Sequence, residues 1–244
     1  GKARRLVLHG FGGQGKTFLA QEAGRWLHRT GLFQRVCFVG YASFQGIDPV
    51  SLAVSTLATV LDQSLIDDAA ATTALAGTPT LLILDNLESL SAEPLRELLD
   101  AAVAWSKAGG SRVLITTRCP DLEHPAYPTA NSWETRYLPL AGLDPHDALV
   151  WFTTLMHLPP EPTRPPPDRD GVLRLFSLVQ FHPLSIGLLA PQLKQRGVAE
   201  LGQRLGALLM TEASPLLASL ALSLERLDPQ LRQHLPGLGV FQGG

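Results

Sequence analysis

The residues of this 244-residue chain best suited to chemistry sit in one octapeptide, Gly10-Phe11-Gly12-Gly13-Gln14-Gly15-Lys16-Thr17. Its pattern, G-x-x-x-x-G-K-[ST], describes a loop that wraps a phosphate. Glycines let the backbone curl so that successive N–H groups face an anion, and a helix starting near Lys16 adds its positive end. Lys16 is placed to reach β- and γ-phosphates, and the Thr17 hydroxyl to coordinate Mg²⁺. With 22 Gly, 4 Lys and 30 Ser or Thr in the chain, a chance match is expected in roughly 0.4% of such sequences. A Gly-rich turn with an exposed lysine is therefore the weaker reading. Gly10, Gly12, Gly13, Gln14, Gly15 and Phe18 complete the expected phosphate- and nucleotide-contacting set around Lys16 and Thr17.

Two further stretches could join that loop. Leu81-Leu82-Ile83-Leu84-Asp85-Asn86-Leu87-Glu88 reads as an apolar strand ending in Asp85. Such a strand delivers a carboxylate to the C-terminal edge of a sheet, where ligands bind in α/β folds. Asp85 is then the expected metal residue opposite Thr17, its alternative being a cap on the following loop. Asn86 cannot act as a base, and Glu88 is the nearest carboxylate able to orient a water; an exposed loop glutamate is the equal alternative. In Ser111-Arg112-Val113-Leu114-Ile115-Thr116-Thr117-Arg118, Arg118 follows a buried strand and could contact a γ-phosphate. The alternative is an ordinary surface arginine.

These groups need a scaffold, and the chain alternates short apolar runs with segments of helical period. The runs 5–9, 36–39, 81–84, 113–115 and 137–140 predict strands buried on both faces of a parallel sheet. Segments 16–29, 48–62 and 92–107 predict crossover helices, with Asp48-Pro49 as a start signal and Gly109-Gly110 as a stop. Strand–helix alternation of this kind predicts a doubly wound α/β domain over residues 1–140. After Leu140 the strand-like runs cease, and 144–158, 171–179, 183–196 and 199–227 read as helices. A Pro-rich stretch, 158–167, reads as a stiff helix–helix connector. Residues 141–208 are assigned to a small all-α domain and 209–244 to the start of another. The hinge is expected near Leu140-Ala141-Gly142.

Composition narrows the function classes. Apolar residues make up 45% and charged residues 17%, so burial can offset ordering entropy and wholesale disorder is excluded. Twenty basic against 22 acidic side chains, a net charge of -2, give no broad nucleic-acid footprint or polybasic membrane anchor. No apolar run approaches the ~20 residues that span a bilayer. Only Cys37 and Cys119 are present, which argues against a disulfide framework and for the cytoplasm. The chain opens without Met, and an excised segment of a longer protein is expected.

Taken together, these motifs resemble the NB-ARC domains of the signal transduction ATPases with numerous domains (STAND class), of the bacterial type. The loop Gly10–Thr17 resembles that family's phosphate loop, with Gln14 where an aliphatic residue is usual. Leu84-Asp85-Asn86-Leu87-Glu88 is similar to its Walker B segment, although many relatives carry a second acid at the place of Asn86. Thr116-Thr117-Arg118 resembles its sensor 1. Tyr137-Leu138-Pro139-Leu140, followed by Asp147-Ala148-Leu149-Val150-Trp151-Phe152, is similar to the lead into its first helical domain. Phe181-His182-Pro183-Leu184-Ser185-Ile186 is similar to its Gly-Leu-Pro-Leu-Ala-Leu motif, with Phe181 in place of glycine. The tail 238–244 resembles the opening of its winged-helix domain.

The resemblance implies a P-loop NTPase sheet with helices on both faces, then a helical domain and the start of a winged helix. It implies an adenine nucleotide (ADP at rest, ATP when active) with Mg²⁺, and slow hydrolysis that resets a switch. Lys16, Asp85, Glu88 and Arg118 are the implied catalytic residues, Thr17 and Asp85 the metal residues, and Pro183 the base contact. Implied partners are the protein's own flanking effector and sensor-repeat domains, and other copies of itself when ATP is bound. Neither nucleic acid nor membrane is expected. Two other classes stay open: an AAA+-like ATPase that remodels nucleic acid, and an ADP-locked scaffold, which Asn86 favours.

Overall fold

A computed structural model describes residues 3–46, 48–130, 132–156, 168–212 and 214–225. The Pro-rich connector, 158–167, and the tail resembling a winged-helix opening, 238–244, lie outside them. The chain divides into two compact units between Leu140 and Ala141.

The first unit is a five-stranded sheet of β1 (Arg5–His9), β2 (Arg35–Gly40), β3 (Thr80–Asp85), β4 (Arg112–Thr117) and β5 (Thr135–Pro139). The strand order is β2-β3-β4-β1-β5, and every neighbouring pair is parallel. The helices are α1 (Lys16–Arg29), α2 (Pro49–Leu61), α3 (Asp68–Gly77) and α4 (Ala92–Lys107). Because side chains alternate along a strand, consecutive apolar residues serve opposite faces. Leu8, Leu81, Ile83 and Leu114 form one core with Ala20 of α1. Val7, Leu82, Leu84, Val113 and Ile115 form the other, with Leu57, Leu75 and Trp105 of α2, α3 and α4. Each fully buried large side chain contributes about 1.5–3 kcal/mol, and α1 comes close to the sheet at Gly24. A Cβ there would lie 3.0 Å from Ile83 Cδ1.

The expectation that all five strands are buried on both faces holds for β3, where every position is buried. It fails at the edges: β2 and β5 keep several exposed positions, because an edge strand lacks a neighbour on one side. The helix α3 was not expected. Asp67 caps it by accepting from Ala70 N at 2.7 Å, but its sequence, DAAATTALAG, buries only Ala71 and Leu75, too little for a periodic signal.

At the end of β1 away from the phosphate loop, the Arg5 guanidinium is buried. It donates to Thr135 Oγ1, Ser106 Oγ and the Ala126 carbonyl, pairs with Glu134 at 3.0 Å, and lies over the Tyr127 ring. This network ties the chain leading into β5 to β1 and to α4.

The second unit contains α5 (Pro145–Met156), α6 (Arg169–Leu178), α7 (Pro183–Leu189), α8 (Val198–Leu209) and α9 (Pro215–Leu224). They share one core built on Phe152, Phe176, Ile186, Leu205 and Leu222. The single helix expected over 183–196 is instead α7 followed by a 3-10 segment, Ala190–Lys194. Pro191 lacks the N–H and sterically opposes a continued α-helix. The helical stretch from 199 breaks before Pro215, where Ser214 caps α9 by accepting from Leu217 N. Gly142 is held against this unit, since a Cβ there would fall 2.0 Å from the Gln180 carbonyl oxygen.

Candidate functional site: a phosphate loop with an acidic and a basic partner

The phosphate loop leaves the C-terminal end of β1 and leads directly into α1. Gly15, the residue before the helix, has φ 84°, a left-handed conformation that glycine adopts without steric cost. Lys16 is buried to 6% exposure, and its Nζ donates to the Gly10 carbonyl at 2.8 Å and the Phe11 carbonyl at 2.9 Å. Two of the three ammonium N–H groups are thus used in fixing the lysine within its own loop, and one remains for a ligand. Burial lowers the Lys16 pKa from its ordinary value; Glu88 raises it, Arg118 lowers it and Asp85 raises it. His9, at the end of β1, has its pKa lowered by burial and then by Lys16.

Asp85 ends β3 and is 4% exposed. Its Oδ2 accepts from Thr17 Oγ1 at 3.0 Å, and its Oδ1 accepts from Thr116 Oγ1 at 2.5 Å. The Thr116 hydroxyl in turn accepts from Asn86 N at 3.0 Å. β4 lies between β3 and β1, so Thr116 is the bridge that fixes Asp85 across the sheet edge toward α1.

Asn86 turns the chain with φ 62°, and a 3-10 turn over Leu87–Ser89 follows, with Leu87 buried in the core. That turn returns Glu88 toward the end of β4. Glu88 Oε1 lies 2.9 Å from Arg118 Nε, and Glu88 Oε2 accepts from Arg118 N at 3.2 Å. The Glu88 side chain is 14% exposed and that of Arg118 65%. Glu88 is therefore a fixed group of the site and not a solvated loop residue. Arg118 also lies against the phosphate loop: its Cζ is 3.4 Å from where a Cβ of Gly12 would stand.

The cleft so formed is about 400 Å³ and is lined by Gly12, Gly13, Gly15, Lys16, Thr17, Phe18, Gln21, Asn86, Glu88 and Arg118, a volume within the range of small-ligand sites. Gly10 and Gln14 are set back from its wall. A Cβ on Gly10 would fall 2.2 Å from Gln14 Oε1, so the Gln14 amide tucks against the base of the loop, with Oε1 buried and no hydrogen-bond partner among the described residues. Pro183 belongs to the second unit, as the first residue of α7 after the His182 cap. Gln21 and Thr116 were not expected in the site. Gln21 is four residues after Thr17 and so on the same helix face; Thr116 stands in the sensor-1-like motif, but its contact with Asp85 depends on strand order.

The donor set is suited to Mg²⁺. Thr17 and Asp85 present two hard oxygens 3.0 Å apart, and Mg²⁺ is held by one or two carboxylates together with substrate phosphates. Among the described residues no cluster of three or more His, Cys, Asp or Glu could cage a metal by itself.

A protein-family model, the NACHT domain, matches residues 4–157, more than half of the chain. The chain belongs to the NACHT family. NACHT domains are P-loop NTPase domains of STAND-type proteins, so the class reached from the motifs holds; the match supports that class without singling out NB-ARC or a bacterial type within it. The NACHT match spans the phosphate loop, Asp85, Glu88 and Arg118, and stops short of Pro183. A comparison with curated proteins gives no match. Among the described residues no helix is long and apolar enough to cross a membrane.

Proposed function

We propose that the chain is the nucleotide switch of a STAND-type signalling protein, binding ADP or ATP with Mg²⁺ and hydrolysing ATP slowly. One observation carries the reading: the phosphate loop, Thr17 and the Glu88–Arg118 pair line a single cleft at the C-terminal edge of the sheet, with buried Asp85 hydrogen-bonded directly behind Thr17. The loop amides and the Lys16 ammonium bind and orient the phosphates, and phosphoryl transfer needs chiefly positioning and charge neutralisation from the protein. Thr17 and Asp85 would hold Mg²⁺, which supplies charge neutralisation at the phosphate oxygens. Glu88 orients a water, and Arg118 contacts a γ-phosphate.

The remaining parts of the proposal rest on the STAND resemblance. They are the NB-ARC-like, bacterial-type details, the base contact at Pro183, and control of assembly with flanking effector and sensor domains and with further copies, in the cytoplasm. Calorimetry of ADP with Mg²⁺ on wild type and Lys16→Ala tests the core of it. The variant is expected to fold and to lose ADP binding, because the ammonium is the main point charge offered to the phosphates; unchanged affinity would refute the assignment. Single-turnover hydrolysis with wild type and Glu88→Ala separates a slow ATPase from a non-hydrolysing scaffold.

A further inference from the structure

Glu88 holds Arg118 at two points, the guanidinium Nε and the main-chain N–H. The carboxylate is the shielded member of the pair and the guanidinium the accessible one, lying between Glu88 and the phosphate loop at Gly12. A third phosphate arriving at this loop would be a second anion seeking the same cation. Leaving both anions on one guanidinium costs like-charge repulsion, and the more heavily charged phosphate forms the stronger charge-assisted hydrogen bonds. The same pairing orients Glu88: Oε1 faces the guanidinium Nε and Oε2 accepts from the Arg118 N–H, so the direction of the carboxylate is tied to Arg118.

We propose that the Glu88–Arg118 pair discriminates nucleotides by phosphate number. A diphosphate leaves the pair intact. A triphosphate exchanges Glu88 for the γ-phosphate on Arg118, and the exchange releases the carboxylate that the hydrolytic step requires. The inference rests on the nucleotide-switch reading above and adds to it a coupling between sensing and catalysis. Glu88 then opposes triphosphate binding before it assists hydrolysis.

The test is a double-mutant cycle read by binding to ADP and to a non-hydrolysable ATP analogue, both with Mg²⁺, on wild type, Glu88→Gln, Arg118→Ala and the double variant. Gln keeps an acceptor for Arg118 N–H and removes the charge, and circular dichroism checks that each variant is folded. Glu88→Gln is expected to bind the analogue roughly two- to fivefold tighter, the scale of a partly exposed ion pair, with ADP affinity unchanged. Arg118→Ala should weaken the analogue and spare ADP, and in that background Glu88→Gln should give no gain. A gain that persists without Arg118 would mean simple repulsion between Glu88 and the phosphates, and would overturn the exchange. So would an unchanged analogue affinity in Glu88→Gln. Absence of ADP binding in wild type would overturn the switch reading and this inference together, whereas the first two failures leave ADP binding standing.

Discussion

Asp85 divides its two oxygens between Thr17 and Thr116, and this division sets what its loss should do. Replaced by Asn, one acceptor oxygen remains and the charge disappears, while the loop amides and Lys16 are untouched. Asp85→Asn is therefore expected to reduce the gain in ADP affinity that Mg²⁺ confers, more than it reduces affinity in excess chelator. Titrations with and without Mg²⁺ measure the difference; equal metal dependence in variant and wild type would leave Asp85 a strand-end cap. Glu88 teaches a different lesson at this scale. Its residue type and its distance along the chain from Asp85 are equally compatible with a solvated loop glutamate, and only its pairing with Arg118 places it in the site.

At the scale of elements, the turn after β3 aims Glu88. Asn86 sits in the left-handed region, which asparagine tolerates better than most residues with a side chain, and Leu87 anchors the turn in the core. Asn86→Gly should keep stability close to wild type, whereas Asn86→Val should cost about 1–2 kcal/mol, the penalty of left-handed backbone for a residue with a Cβ. Urea denaturation of the two variants checks the order. The same physics accounts for a departure noted in the sequence: Phe181 stands where the resembling motif has glycine, and it has φ 54° directly after Gln180 with φ 52°. Phe181 nonetheless packs against the core of the second unit, which compensates for its conformation.

For the whole molecule, linkage turns the site into a stability measurement. A nucleotide present at 100 times its dissociation constant stabilises by about 2.7 kcal/mol, a rise of roughly 5–11 °C in melting temperature. ADP with Mg²⁺ should produce it, and AMP, which lacks the β-phosphate the loop would hold, should produce much less; equal shifts would argue against a phosphate-centred site. Pro183 opens α7, a position where proline is favoured in its own right. If it also meets the base, Pro183→Ala should weaken ADP several-fold with the melting temperature of the free protein nearly kept. Loss of stability with unchanged ADP affinity would leave it a helix-starting residue only.

The phosphate loop, the strand before it and the helix after it were legible in the sequence because their signals are local. Glycines at fixed spacing, an apolar run and a helical period all lie within thirty residues, and β1 and α1 have the bounds that pattern gave. Asp85 and Arg118 were legible by the same logic, as polar residues closing apolar strands. What only the tertiary structure decided is which of these ends meet. Strand order sets β4 between β3 and β1, and this alone lets Thr116 brace Asp85 and brings Glu88 to Arg118, contacts that span about thirty residues of chain. Such contacts carry no periodicity, since they are fixed by hydrogen bonding between strands and not by the residues between them. The weakly amphipathic α3 was hidden for a related reason: it is held by two buried side chains and a cap, and its place is set by the sheet and helices it covers.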